Sequence, residues 1–272
     1  MGKWWGESNQ LTCWTSTNLL DLMKIKNWLL LNLNLSSSYV QAMWKTRLRI
    51  PIKIHGIKVR AWKVSQRIKG TLFRGTYESD EIKMIQKVIQ ADERVLELGG
   101  GLGVTTSLMA MIVFPTPVWT FEANPHAYEL MRGNLALNKI HNVQAINAVV
   151  GQEAGEVDFY VSKDFWEASL IPLPESKRIV VPVHSLTEVL NEVLPTTVVI
   201  DIEGAEYELL LLKSWRDTPS IKRIIVEFHK FSAEQSQSEK LARIYNLFTI
   251  DFELIEAIEL LKEGHLTLVL NA

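Results

Sequence analysis

The run from Val95 to Thr106, VLELGGGLGVTT, constrains this chain more than any other stretch. A short apolar segment holding one acid, Glu97, reads as a buried strand. The glycines read as a tight turn, and residues 104–113 as the helix that follows. Gly99, Gly101 and Gly103 suit a backbone that turns with positive φ and lets a ligand come where a Cβ would collide. Strand, glycine turn and helix in that order build the nucleotide crevice of a doubly wound α/β sheet, at the carboxyl end of its first strand. The dinucleotide fingerprint G-x-G-x-x-G fails, because counting from Gly99 and Gly101 the third glycine falls on Val104. An acid two residues before the first glycine sits badly beside a pyrophosphate and well beside a cation. S-adenosylmethionine (SAM) carries a sulfonium and an ammonium and no phosphate, so Coulomb attraction in a partly desolvated crevice favours it over NAD. Glu97, the three glycines and Thr105 in the first helical turn are the expected cofactor residues of this loop.

From Ala91 onward strand and helix patterns alternate, the signal for a parallel sheet. Strands are expected at 94–98, 118–122, 143–150, 198–202, 223–228, 252–258 and 266–270. Helices are expected at 79–90, 104–113, 125–138, 185–194, 204–215 and 234–247. The turn around Lys262 to His265 is too short for a crossover, so the last two strands must be antiparallel neighbours. The expected fold is a Rossmann-like α/β domain over 75–272, with a mostly parallel seven-stranded sheet ending in an antiparallel hairpin. An N-terminal extension, 1–74, precedes it. There, 18–35 reads as a helix packed on the body, and the alternation across residues 48–61 around His55 and Gly56 reads as a β-hairpin with one apolar and one basic face.

Charge sets the two parts against each other. Residues 1–74 hold thirteen of the 29 Lys and Arg, against only Glu7 and Asp21 among the acids. Ten of those cations lie between Lys45 and Arg74. Two readings stand level: charges guarding an exposed edge, or a contact for an anionic partner such as an acidic glycan or lipid headgroup. The zone is too short and too poor in aromatics to argue for specific nucleic-acid binding. The single cysteine, Cys13, and the absence of Cys/His spacing argue against a disulfide framework or zinc site and for a reducing, cytoplasmic setting. No run is long and apolar enough to span a membrane.

Four further blocks carry chemistry. Glu122 ends the second strand, where a carboxylate can accept both ribose hydroxyls. Asn124 and Pro125 then start a helix as N-cap and first helical residue, and Asn124 is placed in the cofactor site with Glu122. The third strand ends at Asn147 and Ala148, over the expected adenine position. Residues 198–206, VVIDIEGAE, are a buried strand emerging into Asp201 and Glu203. Two carboxylates facing one crevice repel, which suits one of them to general-base work. Their competing use is capping of the following helix. At the end of the next strand, His229 after Glu227 is either a base or a satisfied edge histidine. A Mg²⁺ held by Asp201, Glu203 and Glu227 is a less favoured alternative, since no dedicated ligand spacing is evident, and no metal is expected.

Taken together, residues 97–103, 121–125, 201–206 and 226–229 resemble the FkbM-type methyltransferases, with Gly75, Tyr77 and Glu78 as a matching lead-in. The resemblance covers roughly residues 70–270. It implies SAM-dependent methylation of a hydroxyl on a small molecule or glycan, such as a sugar or secondary metabolite. It also brings Tyr77 and Glu78 into the cofactor site. One departure is visible: Gly100 and Gly101 stand where the family commonly has Ala-Asn. Other readings left open are an NAD-dependent oxidoreductase or epimerase, and a non-catalytic polyanion-binding module.

Overall fold

The computed structural model describes residues 49–162, 170, 172 and 175–229, and the backbone of 253–260 and 265–271. The helices expected at 18–35 and 234–247 lie outside the described residues. In chain order the elements are β1 (Ile52–Ile54), β2 (Ile57–Val59), α1 (Gln66–Arg74), α2 (Ser79–Val88), β3 (Val95–Leu98), α3 (Val104–Ile112), β4 (Val118–Phe121) and α4 (Pro125–Leu137). They continue with β5 (Val143–Ile146), β6 (Val149–Gly151), β7 (Gly155–Val161), β8 (Lys177–Ser185), α5 (Leu186–Val193), β9 (Thr197–Ile200), α6 (Glu206–Leu210), β10 (Arg223–Phe228), β11 (Glu253–Leu260) and β12 (His265–Asn271). No described helix is long and apolar enough to cross a membrane.

The main sheet runs β11-β12-β10-β9-β3-β4-β5. Strands β10, β9, β3, β4 and β5 are parallel, and β12 pairs antiparallel with both β10 and β11. Chain order reverses between β9 and β3, which opens a crevice at the carboxyl ends of these strands. Alternation divides the core between the two faces. Val95, Val199 and Ile225 pack with the hairpin, α1, α2 and α3. Leu96, Leu98, Val198, Ile200, Ile224 and Val226 pack with α5, α6 and Trp215.

The hairpin forms as its alternation predicts. Ile52, Ile54, Ile57 and Val59 are buried, while Lys53 and Lys58 are exposed and directly opposed. His55 and Gly56 both have positive φ, the turn that matches strand twist in a two-residue hairpin. The free edge of β2 is covered from α4. Asn138 Oδ1 accepts from the Lys58 amide at 2.8 Å and its Nδ2 donates to the Lys58 carbonyl, while Asn134 Oδ1 accepts from the Arg60 amide. Side-chain amides thus substitute for a neighbouring strand.

Two expectations change, and one helix is new. The segment 143–150 is two strands, β5 in the main sheet and β6 in a separate sheet of order β6-β8-β7. The helix expected at 204–215 is the short α6 plus a 3₁₀ turn at Lys213–Trp215. Residues 66–74 are helical, with Ser65 as N-cap and Gly75 as the left-handed residue that stops the helix.

Glu97 also departs from its expected place. All four residues of β3 are buried, and Glu97 is 1% exposed. Its side chain turns onto the α3 face, where Thr105, Thr106 and Thr120 donate hydroxyl hydrogen bonds at 2.9, 2.5 and 2.5 Å. Burial raises its pKa, against the pull of those three donors. Glu97 therefore ties β3, α3 and β4 together beneath the glycine turn instead of facing the crevice. We expect Glu97→Ala to destabilise the protein by about 2–4 kcal/mol, because it strands three buried hydroxyls and opens a void. Urea unfolding measures this, and a loss below about 1 kcal/mol would show that the threonines find other partners.

Candidate active site

The crevice over the β9/β3 switch point holds a cavity of about 300 Å³. On one side, Tyr77, Glu78, Gly99, Gly101, Glu122 and Ala148 line it. Asp201 and Glu203 line it across from them. Phe121, Phe159, Leu209 and Leu212 supply much of its apolar wall, with Phe159 coming from the small sheet.

The glycine turn is held by backbone chemistry. Gly99 has φ +96, and a Cβ there would stand 1.6 Å from the Asp201 carbonyl oxygen. The Gly99 amide donates to the Phe121 carbonyl at 2.8 Å, and the Asp201 amide to the Leu98 carbonyl at 2.9 Å. At Gly101 a Cβ would enter the cavity, 3.6 Å from Tyr77 Oη and 3.7 Å from Glu78 Oε1. Glu122 braces this turn: Oε2 accepts from the Gly101 amide and Oε1 from the Asn124 amide, each at 2.8 Å. A carboxylate has about four acceptor positions, so two remain for hydroxyls in the cavity. Burial lifts Glu122 to about 7, against these two amide bonds.

Glu78 stands at the N-cap of α2 in the left-handed region, φ 49, without capping the helix. Its carboxylate points toward Gly101, accepts from the Tyr77 hydroxyl, and leaves Oε2 buried without a hydrogen bond among the described residues. Burial and the nearby carboxylates of Glu97, Glu227 and Glu203 push it up to about 8, against the Tyr77 bond. Burial, with Glu78, Asp201 and Glu81 nearby, also raises Tyr77. An unfilled, buried carboxylate oxygen beside a bare glycine turn suits an ammonium group, the role the sequence suggested for Glu97.

Four expected cofactor residues act around the cavity rather than in its wall. Thr105 bonds Glu97. Gly103 starts α3 in the left-handed region, where a Cβ would stand 2.7 Å from Met131. Asn124 caps α4 by accepting from the His126 amide. Asn147 donates to the carbonyls of Glu122 and Ala123, fixing the turn after β5.

Across the cavity, β9 ends in a strained turn. Glu203 has φ 56 and Gly204 φ 113, and the Glu203 side chain is 44% exposed. His229 lies behind the turn, outside the cavity wall. Its Nδ1 is 2.9 Å from Glu206 Oε1, and its Nε2 is 3.5 Å from both Asp201 Oδ1 and Glu203 Oε2. Burial opposes its charge, but Glu206, Asp201 and Glu203 together raise its pKa to about 10. Burial likewise opposes the charge of Glu206, yet the bond from His229 and the Gly204 amide hold its pKa below the ordinary value. Asp201 is raised by burial and by Glu227, Glu203 and Glu78, against the pull of His229. The pairing of Glu206 with His229 is long-range and has no local signal in the sequence.

Glu81 went unremarked in the sequence. It follows Glu78 by three residues and precedes Ile85 by four, on the buried stripe of α2, and that spacing marks it as an inward acid. No described residue of the basic hairpin lines the crevice. Arg60 and Lys63 instead line a separate surface notch with His126 and Arg132.

Comparison with known proteins follows this geometry. No curated protein matches the chain. Among solved structures, Trm5b from Pyrococcus abyssi is 16% identical, with 80% of this chain and 54% of that one covered at a TM-score of 0.47. The chain thus spans about half of that protein's length. TYW2 from M. jannaschii, solved in complex with AdoMet, is 18% identical, with 81% and 83% covered and a TM-score of 0.45. A SAM-dependent methyltransferase from Aquifex aeolicus is 10% identical, with 71% and 90% covered and a TM-score of 0.41. The family model of the methyltransferase FkbM domain matches residues 108–263, more than half of the sequence. By that match the chain belongs to the FkbM methyltransferase family, whose methyl donor is S-adenosylmethionine.

Proposed function

We propose that this protein is an O-methyltransferase that moves the methyl group of SAM to a hydroxyl of a small molecule or glycan, such as a sugar or secondary metabolite. The observation that carries this reading is the crevice itself. A bare glycine turn braced by Glu122 faces, across one cavity, two carboxylates at the end of β9. When bound, SAM supplies a methyl group on a sulfonium that is already a good leaving group. The chain's own work is therefore alignment, exclusion of water and removal of the acceptor proton.

Each residue has a part in that work. Glu122 accepts the ribose hydroxyls and Glu78 the amino group of the donor. Phe121, Phe159, Leu209 and Leu212 keep the space apolar. Glu203 takes the acceptor's proton as the C–O bond forms and the C–S bond breaks. Glu203 is preferred over His229 on geometry: Glu203 lines the cavity and its side chain is 44% exposed, whereas His229 is absent from the wall and its ring nitrogens face carboxylates. His229, anchored by Glu206, holds the turn that presents Asp201 and Glu203.

Replacing Glu122 tests the donor side. Glu122→Ala should weaken S-adenosylhomocysteine (SAH) binding by about 1.5–3 kcal/mol, the scale for hydrogen bonds to a charged group. Calorimetry on the folded variant measures it, and unchanged affinity would remove Glu122 from ribose binding. The wild-type affinity should also depend on pH. Glu122 has its pKa raised to about 7, and the carboxylate is the accepting form, so its contribution is full above that value and falls toward about tenfold per unit below it. Glu122→Gln, which cannot ionise, should lose the component centred near 7 and keep the one near 8 that Glu78 sets.

The acceptor side is tested at Glu203. Glu203→Gln should lower kcat by about 10²–10⁴-fold, the usual contribution of a general base, and leave SAH affinity within about twofold. Full activity in that variant would move the proton acceptor to Asp201.

A further inference from the structure

Glu81 has no task in the crevice. It lies in the first turn of α2, is 6% exposed, and is absent from the cavity wall. Among the described residues no donor reaches its carboxylate and no cation pairs with it. A carboxylate on a residue this buried, with no protein donor, is costly because little replaces the water it gave up. Its direction explains what it does. One oxygen each of Glu81, Asp201 and Glu227 lie within 4.8 Å of one another. The three come from α2, the turn after β9 and the end of β10, so the tertiary fold alone gathers them. Oδ1 of Asp201 is also buried without a hydrogen bond.

Those separations have a chemical meaning. Around a cation with oxygen ligands at about 2.0–2.6 Å, adjacent oxygens stand about 3–3.7 Å apart and opposite ones about 4–5 Å. A set of carboxylate oxygens within that range needs little movement to close on one ion. His229 answers this need only in part: its Nε2 is 3.5 Å from Asp201 Oδ1, and its ring nitrogens otherwise face Glu203 and Glu206. Burial and mutual repulsion raise both Glu81 and Asp201, the response of acids that must otherwise share protons.

The geometry points to a binding site for one hard divalent cation, of the Mg²⁺ or Mn²⁺ class, held by Glu81, Asp201 and Glu227 behind the crevice. All-carboxylate oxygen donors select such cations over softer ones. The ion would clamp α2 to the ends of β9 and β10, fixing the turn that carries Glu203. This site goes beyond the methyl-transfer reading and does not rest on it, since it needs neither donor nor acceptor.

The test is direct. Full-length protein stripped with EDTA and dialysed is titrated with MnCl₂, and bound Mn²⁺ is followed by electron paramagnetic resonance. One Mn²⁺ per chain should bind, displaced by Mg²⁺ and not by K⁺, and the melting temperature should rise with Mn²⁺. Glu81→Gln and Glu227→Gln should each weaken Mn²⁺ at least about tenfold, as expected for loss of one charged ligand from three, and leave SAH affinity within about twofold. In EDTA both variants should melt at or above the wild type, because an amide removes the repulsion. If one variant fails to fold, the wild-type titration and the other variant decide. No Mn²⁺ bound at millimolar concentration, or binding that the variants leave intact, overturns the site.

Discussion

The whole site depends on one close approach, that of the glycine turn after β3 to the end of β9. Any side chain at Gly99 would meet the Asp201 carbonyl at bonding distance, so the two segments come together only with glycine there. The Asp201 amide donating to the Leu98 carbonyl, and the Gly99 amide to the Phe121 carbonyl, lock β9, β3 and β4 at the same level. That contact sets the width of the crevice. It also brings the acids of three strands and of α2 into one small volume.

How those acids are tolerated differs from one to the next. Glu97 is dissolved in three hydroxyls, and Glu122 holds two backbone amides. Glu206 has His229 and the Gly204 amide. Glu78 keeps an unfilled oxygen, and no partner reaches Glu81 among the described residues. The amino ends of the same strands show the contrast. There Glu93 pairs with Arg223 and accepts from Thr197, closing a network across β3, β9 and β10. The satisfied end holds the sheet together, and the unsatisfied end is kept for ligands. Buried polar groups left incomplete are expected where function uses them.

Much of this was legible in the sequence because it rests on local rules. The glycine turn, β3, β4, β10 and the Asn124–Pro125 helix start all follow from period and capping. The small sheet was not legible. In β7 the apolar Val157, Phe159 and Val161 alternate with Glu156, Asp158 and Tyr160, but of β7 and β8 only Phe159 and Val181 are fully buried, and alternation does not say that the strands form a sheet apart from the main one. The single strand expected at 143–150 failed for a related reason: β-rich composition continues through Asn147, while the side chain of Asn147 bonds back to Glu122 and Ala123 and turns the chain. Glu97 failed because a central strand is buried on both faces, and spacing along it does not say which way an acid points. The partner sets of Glu81 and His229 join residues more than a hundred positions apart for Glu81 and more than twenty for His229, beyond any spacing rule.

Strain gives the last link between fold and chemistry. Glu78 and Glu203 are both non-glycine residues with positive φ, and both line the cavity. A side-chain-bearing residue in that region gives up about 1–2 kcal/mol, and a glycine would relieve it. Neither position relieves the strain, although Gly204 stands immediately beside one of them. At Glu78 the left-handed turn lifts the carboxylate off the helix N-terminus and toward Gly101. At Glu203 it leaves the side chain 44% exposed against 22% for Asp201, while both carboxylates stay 3.5 Å from His229 Nε2. The same device thus brings one acid to each of two walls of the cavity.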